Sequence, residues 1–225
     1  MSLAAVDHLV VAAASLAQGV MWCEATLGVT PGPGGQHPLM GTHNRLLKIA
    51  TTAFPQAYLE IIAIDPDAPP PRRKRWFNLD DPALQRSLQT APRLIHFVAR
   101  STMIDMHRWG LLGLGLKPGN PVQMSRESAQ GPLAWQILVR EDGGLDCAGA
   151  LPTLIQWSGR HPADSMPDSG VTLESLQLRG MPARARQVVG LRGVQFVNDA
   201  GDASDSGPPL LVTLNTPLGK VNLSA

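Results

Sequence analysis

Two histidines occupy the same point of two similar apolar runs, Val6-Asp7-His8-Leu9-Val10-Val11 and Leu94-Ile95-His96-Phe97-Val98-Ala99, 88 positions apart. A carboxylate and an amide interrupt two further runs, Glu60 in Tyr58-Leu59-Glu60-Ile61-Ile62-Ala63 and Gln156 in Thr153-Leu154-Ile155-Gln156-Trp157-Ser158. Imidazole and carboxylate move protons near neutral pH. With an amide oxygen they also make a mixed nitrogen and oxygen set of the kind that holds divalent transition ions. Along a strand successive side chains face opposite sides, so a polar residue between apolar neighbours faces a different side from them. Neither chemistry follows unless the elements carrying these residues aim them into one hollow.

Those elements repeat. Leu27-Gly28-Val29-Thr30-Pro31-Gly32 returns as Leu114-Gly115-Leu116-Lys117-Pro118-Gly119, 87 positions on. In each, Gly lets the chain leave a helix through the left-handed region and Pro prevents continuation. Upstream, Ser15 to Leu27 and Thr102 to Leu114 have helical length and open on a hydroxyl N-cap candidate. Arg45 to Thr51 and Leu133 to Arg140 read as the strands before the Glu60 and Gln156 runs. Glu60 and Gln156 lie 96 positions apart, so the second copy has gained residues, and the turn Glu141-Asp142-Gly143-Gly144 is the expected place. Each copy thus reads β-α-β-β-β. The fold class expected is α+β, with paired βαβββ modules and an abbreviated third β-rich module at the C-terminus.

The expected boundaries are residues 1–65 for the first module, 66–92 for a linker, 93–160 for the second module and 161–225 for the partial third. The linker holds Ala68-Pro69-Pro70-Pro71, which suits neither helix nor central strand, and then a short helix within Asp80 to Thr90, with Asp80 or Asp81 as cap and Pro82 in its first turn. The tail offers strands at Thr172 to Arg179, Val194 to Asn198, Pro209 to Leu214 and Lys220 to Leu223, around a short helix at Ala183 to Val189. Ser175 or Leu176 stands where His8 and His96 stand in the other copies, so the tail is expected to cover a sheet edge or pair with another subunit.

Paired units of this kind, each opening on a histidine-bearing strand and ending on one with Glu or Gln, resemble the vicinal oxygen chelate superfamily over roughly residues 3–160. Val6-Asp7-His8-Leu9-Val10, Gly41-Thr42-His43-Asn44, Tyr58-Leu59-Glu60-Ile61-Ile62 and Ile155-Gln156-Trp157 resemble its glyoxalase-like domain family. The resemblance implies that the paired modules form a cup-shaped mixed sheet, and that His8, Glu60, His96 and Gln156 converge as ligands of a divalent metal, one of Zn, Ni, Co, Mn or Fe(II), in a cup where Glu60 also serves as the catalytic base. It implies a lyase, isomerase or oxygenase acting on a small oxygenated substrate. The alternative it leaves open is a metal-free binding or sequestering protein of the bleomycin-resistance type, and metal and no metal stand as equal expectations. His43 and Asn44 before one strand, and Arg160 and His161 after another, are the candidate substrate contacts.

Composition sets the outer limits. Lys and Arg number 19 against 18 Asp and Glu, so no net field draws the chain to nucleic acid or to an anionic membrane, and a small molecule is the expected partner. Arg72-Arg73-Lys74-Arg75 reads as a solvated linker rather than a nucleic-acid patch. Gly110 to Gly115 follows a helix, whereas a phosphate cradle follows a strand, so a dinucleotide site is rejected. Ser125, Ser158 and Ser165 lack a nucleophile-elbow setting. Cys23 and Cys147 read as free thiols of a reducing compartment. The first twenty residues lack the basic start of a signal peptide, and no 18 apolar residues run together, so the expected location is cytoplasmic. Both halves of the cup lie in one chain, and either a monomer or a homodimer is compatible with that.

Overall fold

The computed structural model describes residues 4–128, 131–197 and 207–225. The first module runs β1 (Ala5–Ala12), α1 (Leu16–Leu27), β2 (Gln36–His37), β3 (Thr42–Lys48) and β4 (Tyr58–Ile64). After α2 (Pro82–Leu88) the second module runs β5 (Arg93–Arg100), α3 (Ile104–Gly113), β6 (Asn120–Arg126), β7 (Leu133–Val139) and β8 (Thr153–Ser158). The tail contributes β9 (Thr172–Arg179), α4 (Ala183–Val189), β10 (Gln195–Val197), β11 (Leu210–Thr216) and β12 (Gly219–Ser224). Of the predicted strand Val194 to Asn198, the last residue lies outside the described residues. No helix among the described residues is long and apolar enough to cross a membrane.

The two modules build one eight-stranded curved sheet, ordered β2-β3-β4-β1-β5-β8-β7-β6. At its centre β1 and β5 run antiparallel with His8 opposite Val98 and Val10 opposite His96, so exchanging the copies at the offset of 88 maps this pairing onto itself. Outward from the centre, β1 pairs in parallel with β4, Val10 opposite Glu60, and β5 pairs in parallel with β8, Val98 opposite Thr153. The position equivalent to Glu60 is therefore Thr153, not Gln156, at an offset of 93. The next strands agree, since Asn44 faces Ile62 as Ile137 faces Ile155.

The same registers correct the expected insertion point. The β3–β4 and β7–β8 connections match in length, so the turn Glu141 to Gly144 gained nothing. The added residues lie between α3 and β7, where the seven-residue β6 replaces the two-residue β2.

Each face of the sheet has its own core. The outer face, with Leu9, Val11, Leu59, Ile61, Phe97 and Leu154, packs under α1, α3 and apolar residues of the tail sheet such as Leu173, Leu176, Leu210 and Val212. That second sheet is ordered β10-β9-β11-β12, so the tail covers a face of the large sheet rather than an edge, as its own apolar stripe requires. The inner face, with Val10, Ile62, Val98, Ile137 and Ile155, is filled by Met40 and by the linker residues Trp76, Phe77 and Leu79. To turn inward the linker takes Phe77 and Asn78 through the left-handed region, φ 57° and 55°, a conformation a bulky residue holds only when packing repays it.

Local signals explain the helices. The Ser15 hydroxyl accepts the Gln18 N–H and Gly28 closes α1 at φ 73°, while Asp81 caps α2 with Pro82 behind it. Gly19 brings α1 onto β4 so closely that a Cβ there would lie 2.3 Å from the Ile61 Cγ2 methyl. Gly19→Ala is expected to lower stability by about 1–2 kcal/mol, the overpacking outweighing alanine's gain of about 1 kcal/mol in helix propensity. A raised thermal midpoint would show that the helix rides up at no cost.

Candidate active site in the first module

His8 and Glu60 meet on the inner face, His8 Nε2 3.6 Å from Glu60 Oε2. Neighbouring groups fix both. Asn44, from β3, donates to Glu60 Oε1 at 2.6 Å, which leaves Oε2 as the oxygen turned to His8. Asp7 lies 2.7 Å from His8 Nδ1, so a proton on Nδ1 has its acceptor and Nε2 is the nitrogen presented to the hollow. The Tyr58 ring stacks on His8 with centroids 4.6 Å apart, and burial, reinforced by the Asp7 and Glu60 charges, pushes its hydroxyl well above the usual range, so it stays protonated.

Asp7 and His8 are adjacent on a strand, where side chains should point apart. A register irregularity between Val6 and His8 lets both serve one network. Asp7, fully buried, also accepts from the Trp157 indole N–H and faces His161 Nε2, each at 3.0 Å. Burial alone would raise its pKa, but the hydrogen bonds from His161 and His8 hold it below the usual carboxylate range. His161 is itself fixed, its Nδ1 accepting the Ala163 N–H in the turn at Pro162–Asp164.

His37 completes this side of the cup, its Nδ1 3.1 Å from the Thr42 hydroxyl. Burial, with Arg126, His8 and His43 adding to it, pushes His37 down to about 3, so it is neutral. The hollow beside His8 and Glu60 is about 30 Å³, closed by Trp76, Phe77, Trp135 and Trp157, and holds little more than a water. Leu46 and Arg126 line this hollow and also a neighbouring groove of about 420 Å³, with Pro162, Met166 and Lys48 on its walls.

Of the four residues expected as metal ligands, the structure brings His8 and Glu60 together and does not bring His96 and Gln156 to them. Ile155 and Trp157 are the inward positions of β8, so Gln156 between them faces the other way and its Oε1 accepts the Ile104 N–H at the start of α3. That is the capping role expected of Thr102. His96 is fully buried, and its Nε2 accepts the Thr153 backbone N–H at 3.1 Å, so the lone pair that would face a metal is taken. Burial pushes it down to about 3. Tested on donor chemistry, the quartet does not fit an ion. His96 keeps only Nδ1 without a partner, as the nitrogen left protonated when Nε2 accepts the Thr153 N–H, and no group of three or more His, Cys, Asp or Glu able to hold a metal occurs among the described residues.

The candidate substrate contacts divide. Asn44 lines the hollow and His161 braces Asp7 from behind, whereas His43 sits on the far face of β3 beside Asp65, 3.8 Å away, and Arg160 is exposed near Gly131. Sequence reasoning passed over Asp7, His37, Tyr58, Trp157 and Arg126. An aspartate inside the apolar run Val6 to Val11 was the one signal that could have drawn attention to Asp7.

Among solved structures, the chain is similar to a hypothetical protein from Staphylococcus aureus, at 14% identity and a TM-score of 0.58 over 99% of this chain and 86% of that one. It also matches Streptomyces coelicolor methylmalonyl-CoA epimerase in complex with 2-nitronate-propionyl-CoA, at 18% identity and a TM-score of 0.45 over 71% of this chain and 99% of that one. A methylmalonyl-CoA epimerase from Mycobacterium tuberculosis matches at 15% identity and a TM-score of 0.40, over 70% of this chain and 89% of that one. No curated protein matches. The model of the glyoxalase-like domain matches residues 6–189, spanning both modules and the start of the tail, and the chain therefore belongs to the glyoxalase-like domain family of the vicinal oxygen chelate superfamily.

Proposed function

We propose that this protein is a proton-transferring enzyme of the isomerase or lyase kind, acting on a small α-oxygenated carbonyl compound at the His8–Glu60 pair of the first module. The observation that carries this is a carboxylate and an imidazole, each about 95% buried, held 3.6 Å apart with one free donor atom apiece turned to a common hollow. Burying such groups costs several kcal/mol, which a passive core would avoid with apolar side chains. In this reading Glu60 Oε2 removes the proton from the carbon beside the carbonyl and returns it to the neighbouring carbon. His8 Nε2 takes the hydroxyl proton from one oxygen and delivers it to the other. Asn44 keeps Glu60 pointed, and Asp7 keeps the His8 tautomer.

The second module cannot mirror this chemistry, because Thr153 and Ile137 stand where Glu60 and Asn44 stand in the first. The reaction is routed through no metal, since the two free donors form no cage for an ion. The test is proton exchange in D2O, followed by NMR over α-hydroxy ketones, α-hydroxy aldehydes and thiol adducts of 2-oxoaldehydes. Deuterium should enter the carbon-bound position with the native protein, survive EDTA treatment and disappear with Glu60→Gln. Exchange lost on chelation and restored by Mn or Ni would return the reading to a metal-dependent enzyme. Exchange undiminished in Glu60→Gln would remove the base assigned here.

A further inference from the structure

We propose that the substrate of this site is a small organic acid, whose carboxylate is held by Arg126 and the Trp76 indole N–H where the inner hollow meets the outer groove. This deepens the proton-transfer reading and rests on it for the identity of the reacting end. Arg126 is the last residue of β6, the strand lengthened in the second module, and it is half buried. Its guanidinium has no carboxylate partner among the described residues, although it lies close enough to act on the charge of both His37 and Tyr58. Trp76, another residue lining the inner hollow, keeps its buried Nε1 without a hydrogen bond. Two residues with unspent donors line one hollow and call for a ligand made of acceptors, and the planar guanidinium suits a carboxylate.

The surroundings fit this occupant. A Cβ at Gly35 would lie 2.1 Å from Arg126 Nη1, so the glycine leaves the room the guanidinium takes. In the groove, Asp168 is paired with Lys48 at 2.8 Å and does not compete for Arg126. Glu60, at the inner end, repels a second carboxylate and so keeps the acid group at Arg126 and the reacting carbon inward. The inner hollow admits only a few atoms, whereas the groove has the volume of a small-molecule site, walled by Leu46, Pro162 and Met166 for an apolar remainder.

The probe is 4-phenylbutyrate against its uncharged amide, 4-phenylbutyramide, titrated by calorimetry at low ionic strength with the full chain. The acid should bind at least about tenfold more tightly than the amide, as a charge-assisted pair implies. In Arg126→Gln the preference should fall to about one, and in Arg126→Lys part of it should remain. Equal binding of acid and amide, no detectable binding of the acid, or a preference that survives Arg126→Gln overturns the proposal. Glu60→Gln separates this result from the reaction, because it should abolish proton exchange while keeping the preference for the acid. If native protein exchanges no proton yet prefers the acid through Arg126, the chemistry falls and the anion site stands.

Discussion

Asp7→Asn is expected to destabilise the fold by about 3 kcal/mol and to slow any reaction at Glu60 by roughly a hundredfold. The carboxylate is fully buried and serves three groups from three elements: His8 of β1, Trp157 of β8 and His161 of the following turn. An amide in its place offers one oxygen and one NH2 where two acceptor oxygens stood. At least one of the buried N–H groups then loses its partner, at the full cost of its desolvation. The loss reaches the reaction because the Asp7 contact selects the His8 nitrogen that faces the substrate. Urea unfolding gives the first number, and proton exchange with a substrate found by the D2O screen gives the second. Glu60→Gln is the control, since its amide oxygen can still take the Asn44 donor and the fold should lose less than with Asp7→Asn. An unchanged urea midpoint in Asp7→Asn would mean that the network is not what joins β1 to β8 and the turn beyond.

The contrast between Asp7 and Gln156 shows how far a sequence carries. The repeat was legible because glycine at helix ends and histidine in apolar strands are sharp marks, and the central β1–β5 pairing keeps their offset. The run Thr153 to Ser158 is not sharp. Any apolar strand accepts several alignments to Tyr58 to Ala63, and Gln156 resembles Glu60 in type. A slip of three residues is odd, so it exchanges faces and turns an inward ligand into a helix cap. Asp7 was hidden for the opposite reason. Strict alternation puts it on the wrong side of β1, and only the strand irregularity brings it to His8. The linker misled in another way: its prolines read as surface chain, yet Trp76 and Phe77 just beyond them close the cup. The fold was therefore written in local marks, whereas half of the site depends on register and on a long connection, which pattern alone does not fix.

The fold should also be sharply acid-sensitive, losing on the order of 3 kcal/mol between pH 6.5 and pH 5. His37 and His96 are both fully buried and pushed down to about 3 by that burial, against 6.5 when exposed. Between those values the unfolded chain binds protons that the folded chain refuses, so stability rises with pH across the window and falls as pH drops through it. Each unfolded-state histidine goes from half to almost fully protonated over this window and so contributes about 1.7 kcal/mol, and the two together give the stated loss, a large share of a typical 5–15 kcal/mol. Asp7 adds to the loss only further down. Its folded pKa is depressed, so its contribution is intact above the exposed value of 3.8 and declines below it. The charged groups around His37 act with its burial, since Arg126, His8 and His43 all oppose a proton there. Around His96, the Gly149 backbone favours a proton and His8 opposes it. Urea midpoints measured at intervals from pH 7.5 to 4.5 should trace the slope, and His37→Gln should roughly halve it. A midpoint that stays level down to pH 5 would mean that one or both imidazoles take up a proton inside the fold, and the closed inner face of the cup would then have to open to water.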